Sequence, residues 1–172
     1  SSNNYSSMGI AYANYYRQKA IKAFFDKIDD DELTGKAKCL NDKLKEKGNS
    51  FIKSILDKFK GNSEFDVTLE SKNKVYKSNS TIEVNGQTRY TSGNKTIYID
   101  ISISKLSTMP ALGAARTILH EYIHADIFRK LNTKYTTTGT LDFKKTYEAY
   151  ESEQHHNSMA ELYITSMSDA LR

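Results

Sequence analysis

One short stretch of this 172-residue chain brings together residue types that do chemistry as a group: His120-Glu121-Tyr122-Ile123-His124, an H-E-x-x-H pattern. On a helix, residues four apart stand on one face a turn apart, so two imidazoles can reach a single ion. Zinc held through imidazole nitrogens, at about 2.0–2.1 Å, needs that convergence. Glu121 lies beside the pair but off their axis. There it can take a proton from a zinc-activated water without filling a coordination position. The neighbours Leu119, Tyr122, Ile123 and Ile127 are apolar, which sets the histidines at a semi-buried wall.

A catalytic zinc site usually has three protein ligands and one position left for water. The chain has four histidines, His120, His124, His155 and His156, and none precedes position 120. Candidates for the third ligand are His155, His156 and Glu161, all on the last predicted helix. With Met159 at zero and about 100° per residue, the apolar residues from Met159 to Leu171 average to a direction of about 60°. On that wheel His156 falls at about 60°, His155 at about 320° and Glu161 at about 200°. His156 is centred on the inward face and is the preferred ligand. His155 and Glu161 stand as the alternatives.

The elements that must hold these residues follow from the hydrophobic period. Ser6 or Ser7 can cap a helix over about 8–28, with Ile10, Ala13, Ala20, Ile21, Phe24, Phe25 and Ile28 as its apolar stripe. The acidic run from Asp29 to Glu32 breaks it. Further helices are expected from Gly35 to Gly48 and over 50–60, with Gly61 as a C-terminal stop. The period then changes to two. Phe65, Val67 and Leu69 alternate with polar residues, and Ile82 and Val84 do so before Asn85-Gly86, a hairpin-turn dipeptide that would pair them with 87–92. After a second turn at Gly93-Asn94, Ile97, Ile99, Ile101 and Ile103 all point one way. That strand is expected to offer an edge on which an extended substrate backbone can pair. Pro110 opens the H-E-x-x-H helix, which should run to about Leu131, and a Thr-rich loop and helical residues 141–171 follow. The expectation is a single α+β domain over 1–172 with a small, mainly antiparallel sheet: helical part 8–61, sheet 62–106, active-site helices 107–172.

Composition narrows the function classes. With one cysteine, neither an internal disulfide nor a cysteine-rich zinc finger can form. The net charge is +4, and the 25 cationic residues are dispersed among 21 acids rather than gathered in a basic patch, so no nucleic-acid partner is expected. Lys43, Lys45 and Lys47 around Glu46 read as a solvated helix face. No apolar run approaches the roughly 18 residues of a membrane span. The polar start from Ser1 to Ser7 has no signal-peptide pattern, although a chain without an initiator methionine is compatible with a processed product or an excised domain.

The segment Thr117-Ile118-Leu119-His120-Glu121-Tyr122-Ile123-His124-Ala125 resembles the active-site helix of zincin metallopeptidases, especially the SprT-like group, in which alanine often follows the motif. The segment His156-Asn157-Ser158-Met159-Ala160 is similar to the third-ligand segment of small zincin-like domains at the ends of bacterial secreted or polymorphic-toxin proteins. The resemblance covers about residues 96–171 and implies a helical layer on a small sheet, with the matching residues binding zinc. It also implies a secreted effector or toxin role, with an inhibitor or immunity protein as partner. Two departures weigh against the DNA–protein crosslink repair known for some relatives: a longer gap between His124 and His156, and no cysteine-rich zinc ribbon.

Together these readings give a zinc-dependent peptidase acting on protein or peptide substrates. His120, His124 and His156 would be the ligands and Glu121 the general base, with one of Tyr135, Tyr147, Tyr150 and Tyr163 available to the oxyanion. The alternatives are a zincin-fold module that holds metal without cleaving, and a nucleic-acid-associated domain suggested only by the net charge.

Overall fold

The computed structural model describes residues 3–133 together with Tyr163, Ser166 and Asp169. In chain order the elements are α1 (Asn3–Phe25), β1 (Ile28–Glu32), α2 (Gly35–Lys47), α3 (Ser50–Leu56), β2 (Asp66–Lys72), β3 (Val75–Tyr76), β4 (Glu83–Val84), β5 (Gly86–Arg89), β6 (Thr96–Ser102), α4 (Ile103–Thr108) and α5 (Ala111–Asn132). A 3-10 turn, Asp57–Phe59, continues α3. The architecture is mixed α+β. No helix among the described residues is long and apolar enough to cross a membrane.

The main sheet has the order β1-β2-β6-β5. It is not mainly antiparallel as expected: β1–β2 and β2–β6 are parallel, and only β5–β6 is antiparallel. Parallel neighbours need a crossover of about a dozen residues or more. Both pairs have one, α2 and α3 between β1 and β2, and the segment carrying β3, β4 and β5 between β2 and β6. Asn85-Gly86 is not the hairpin turn. β4 pairs backward with β3 (Val75↔Val84), and β5 pairs forward with β6 (Thr88↔Ile99). The turn that closes a hairpin is Gly93-Asn94, where Gly93 has φ 89° and Asn94 N–H donates to Thr91 O at 3.0 Å. The acidic run 29–32, expected only as a helix breaker, belongs to edge strand β1. Asp30 turns inward there to accept from Asn41 Nδ2 at 2.6 Å and from Lys45 at 3.1 Å.

Strand β6, expected to supply an edge, is interior, and the edges are β1 and β5. Ile97, Ile99 and Ile101 are fully buried with Val67 and Leu69 against α5, each contributing about 1.5–3 kcal/mol. Ile103 leaves this stripe. The Ser102 hydroxyl accepts the Lys105 N–H and caps α4, so the chain turns helical at Ile103, which stays 41% exposed.

Helix α5 buries Ala114, Ile118, Leu119, Tyr122, Ile123 and Ile127, packed with Leu44 of α2 and Ile52 and Ile55 of α3. Tyr122, 1% exposed, donates from its hydroxyl to Asn41 Oδ1 at 2.9 Å, and Asn41 passes the chain of hydrogen bonds to Asp30. Helix α5 is thereby fixed to α2 and β1 at a buried point where an unmet polar atom would be costly. The apolar stripe expected on the first helix does not pack in its first half. Every residue from Met8 to Gln18 is exposed, Ile10 at 63%.

Candidate metal centre

His120 and His124 stand one turn apart in the middle of α5, half-buried between the fully buried Leu119, Ile123 and Ile127. Their Nε2 atoms are 3.1 Å apart, with ring centroids at 4.7 Å and the planes nearly perpendicular at 82°. Two nitrogens sharing a tetrahedral zinc at about 2.0–2.1 Å would be separated by about 3.3 Å. The observed separation is close to that value. No zinc needs to be invoked to bring the rings together, since in the protein alone one Nε2–H can donate to the other Nε2.

Glu121 follows His120 by about 100° around the helix and so faces β5 rather than solvent. It is 5% exposed. The Thr88 hydroxyl lies 2.8 Å from Glu121 Oε2 and 3.0 Å from the main-chain oxygen of the same residue. Gly86, two residues earlier and on the same face of β5, approaches so closely that a Cβ there would sit 3.0 Å from Glu121 Cγ. Burial pushes the Glu121 carboxyl up to about 7, hydrogen bonds from Thr88 restrain the rise, and the negative Asp100 adds to it.

Beyond the histidines, α5 carries a second buried carboxylate. Asp126 is 2% exposed and paired with Arg129 at 2.7 Å and Lys130 at 2.9 Å. Burial opposes its ionisation, but the charges of Lys130 and Arg129 outweigh that and hold it below the usual carboxylate range. Tyr163 donates to the same carboxylate at 2.9 Å, with its ring 6.2 Å from that of Phe51. Of the tyrosines offered for the oxyanion, Tyr163 is thus engaged by Asp126. Tyr135, Tyr147 and Tyr150 lie outside the described residues.

The structure places His120, Glu121 and His124 on one helix as the motif requires. His155, His156 and Glu161 lie outside the described residues, among which no group of three His, Cys, Asp or Glu converges on a metal position. Thr88 and Gly86 were not singled out from sequence. Gly86 carried a signal, its pairing with Asn85, but that signal pointed to a turn. Thr88 carried none until β5 was known to be the edge beside α5.

No protein-family model, no curated protein and no solved structure matches the chain. What defines a class here is the site itself: a helix offering two convergent imidazoles and a buried carboxylate, set against the antiparallel edge strand of a mixed sheet.

Proposed function

We propose that this protein is a zinc-dependent peptidase of the zincin type. The observation that carries the reading is the 3.1 Å approach of His120 Nε2 and His124 Nε2 beside a buried glutamate. A purely structural metal site has no use for a base in that position.

His120 and His124 would hold zinc as neutral imidazoles, with His156 as the preferred third ligand. When bound, zinc would lower the pKa of its water towards about 7 and polarise the scissile carbonyl. Glu121 takes the proton from the attacking water and delivers it to the leaving amine. Of the two edge strands, β5 is the one beside Glu121 and offers its edge to an extended substrate backbone. A peptide paired there would run beside Glu121, because Gly86 and Thr88 of that strand touch it. The Tyr163 hydroxyl meets Asp126, two residues beyond His124, which supports a third ligand drawn from the same C-terminal part of the sequence. A secreted effector or toxin role, with an inhibitor or immunity partner, is supported by the sequence resemblance.

Incubating the zinc-loaded protein with an unstructured polypeptide tests the reading. Cleavage should stop with a chelator and fall by at least about 100-fold in Glu121→Gln. Undiminished cleavage by Glu121→Gln would sink the mechanism.

A further inference from the structure

We propose that Thr88, on the edge strand, is a positioning residue that fixes the orientation of the Glu121 carboxyl. The inference rests on the peptidase reading and deepens it by naming what controls the base.

The geometry is unusual in one respect. A threonine hydroxyl has one proton to give and lone pairs to accept, and this one has two oxygens of the same residue in reach. Both distances, 2.8 Å to Oε2 and 3.0 Å to the main-chain oxygen, suit a hydrogen bond, so one hydroxyl on the strand fixes the carboxyl relative to the backbone of its own residue.

The surroundings restrict the alternatives. Gly86 closes the other flank of the carboxyl, with the place a Cβ would occupy 3.2 Å from Oε1. Thr88 itself is fixed by its register opposite Ile99, a fully buried residue of β6. A strand pinned on one side by the core and on the other by the glutamate is well suited to holding a reacting group in one orientation.

The test compares Thr88→Val, which keeps shape and removes the hydroxyl, with Thr88→Ser, which keeps the hydroxyl. In zinc-loaded protein acting on an unstructured polypeptide, Thr88→Val should lower kcat about tenfold or more, with KM and zinc content unchanged. Thr88→Ser should stay within about threefold of the parent. The second readout needs no activity: in metal-free protein labelled at the glutamate 13Cδ, the Glu121 signal, assigned by its loss in Glu121→Gln, should move in Thr88→Val and return in Thr88→Ser. Unchanged kcat and an unmoved carbon signal in Thr88→Val would overturn the role, as would equal losses in the two variants. A parent protein without Glu121-dependent cleavage overturns the peptidase reading and this role in catalysis with it. The carbon signal then still reports whether Thr88 holds the carboxyl, so the two failures are told apart.

Discussion

The Tyr163 hydroxyl reaches across to Asp126, two residues beyond His124, and donates to its carboxylate at 2.9 Å. Lys130 binds the same carboxylate and lies over the Tyr163 ring, 4.8 Å from its centroid. A residue near the end of the chain is thus tied to the helix that carries the two histidines. Replacing Tyr163 by Phe removes the hydrogen bond and leaves Asp126 to Arg129 and Lys130. The expected loss in stability is about 1–2 kcal/mol, read from the urea midpoint. Under the proposed function, zinc affinity measured by chelator competition should weaken in the same variant. Asp126→Ala should cost more, about 2–3 kcal/mol, because it removes the charge-assisted contacts to the partly exposed Arg129 and Lys130 as well.

Zinc stoichiometry tests the ligand assignment directly. The parent should hold about one zinc per chain by elemental analysis. His120→Ala and His124→Ala should each lose most of it, and so should His156→Ala, whereas His155→Ala and Glu161→Ala should retain it. Full occupancy in His156→Ala would move the third ligand to His155 or Glu161.

The histidine pair was legible because its information is local: spacing four on a helix whose start Pro110 marks and whose apolar residues keep it packed. The alternation of Ile97, Ile99 and Ile101 was legible for the same reason, since period two declares a face. What lay beyond reach was sheet order. Val67 and Leu69 look identical whether their strand pairs parallel or antiparallel, and the partner is chosen by crossovers in space rather than by neighbours in sequence. The error at Asn85-Gly86 followed from that, because a short-range turn signal was read without knowing that β5 pairs forward with β6. The edge position of β5, and with it Thr88, depended on the same missing order. Asp30 was hidden differently: an acidic residue reads as exposed unless its partners, here Asn41 and Lys45, are known to meet it.

Asp100 predicts an acid-sensitive sheet. It is 4% exposed in β6, with Arg89 at 2.6 Å across the strand pair and Lys72 at 3.0 Å. Burial would raise its carboxyl, but hydrogen bonds and charge from Arg89 and Lys72 prevail and hold it below the ordinary carboxylate range. The folded state therefore prefers the ionised form. Its stabilising contribution is complete above the unfolded value of about 3.9 and is lost as pH falls through the lower folded value. Urea midpoints measured downward from pH 6 should drop on that limb. Asp100→Asn should start lower at pH 6 and fall less steeply, and an acid limb identical to the parent's would remove Asp100 from the account.

Gly86 offers a steric test of how closely the edge strand governs the base. A Cβ at this position would meet Glu121 Cγ at 3.0 Å, Asp100 main-chain O at 3.2 Å and Glu121 Oε1 at 3.2 Å. Asp100 O belongs to the paired strand and cannot yield without disturbing the ladder, so the glutamate side chain is the softer neighbour. Gly86→Ala should therefore displace Glu121 before it disrupts the sheet. We expect a stability cost of about 1–3 kcal/mol from the crowding, with the far-ultraviolet circular dichroism of the parent retained. The polypeptide-cleavage assay should fall by about tenfold or more, because a base moved by a fraction of an ångström loses its line to the water. Zinc content should hold at the parent level, since neither His120 nor His124 is among the atoms that a Cβ at this position would meet. Full activity with an intact fold would show that the contact between Gly86 and Glu121 has no bearing on the chemistry.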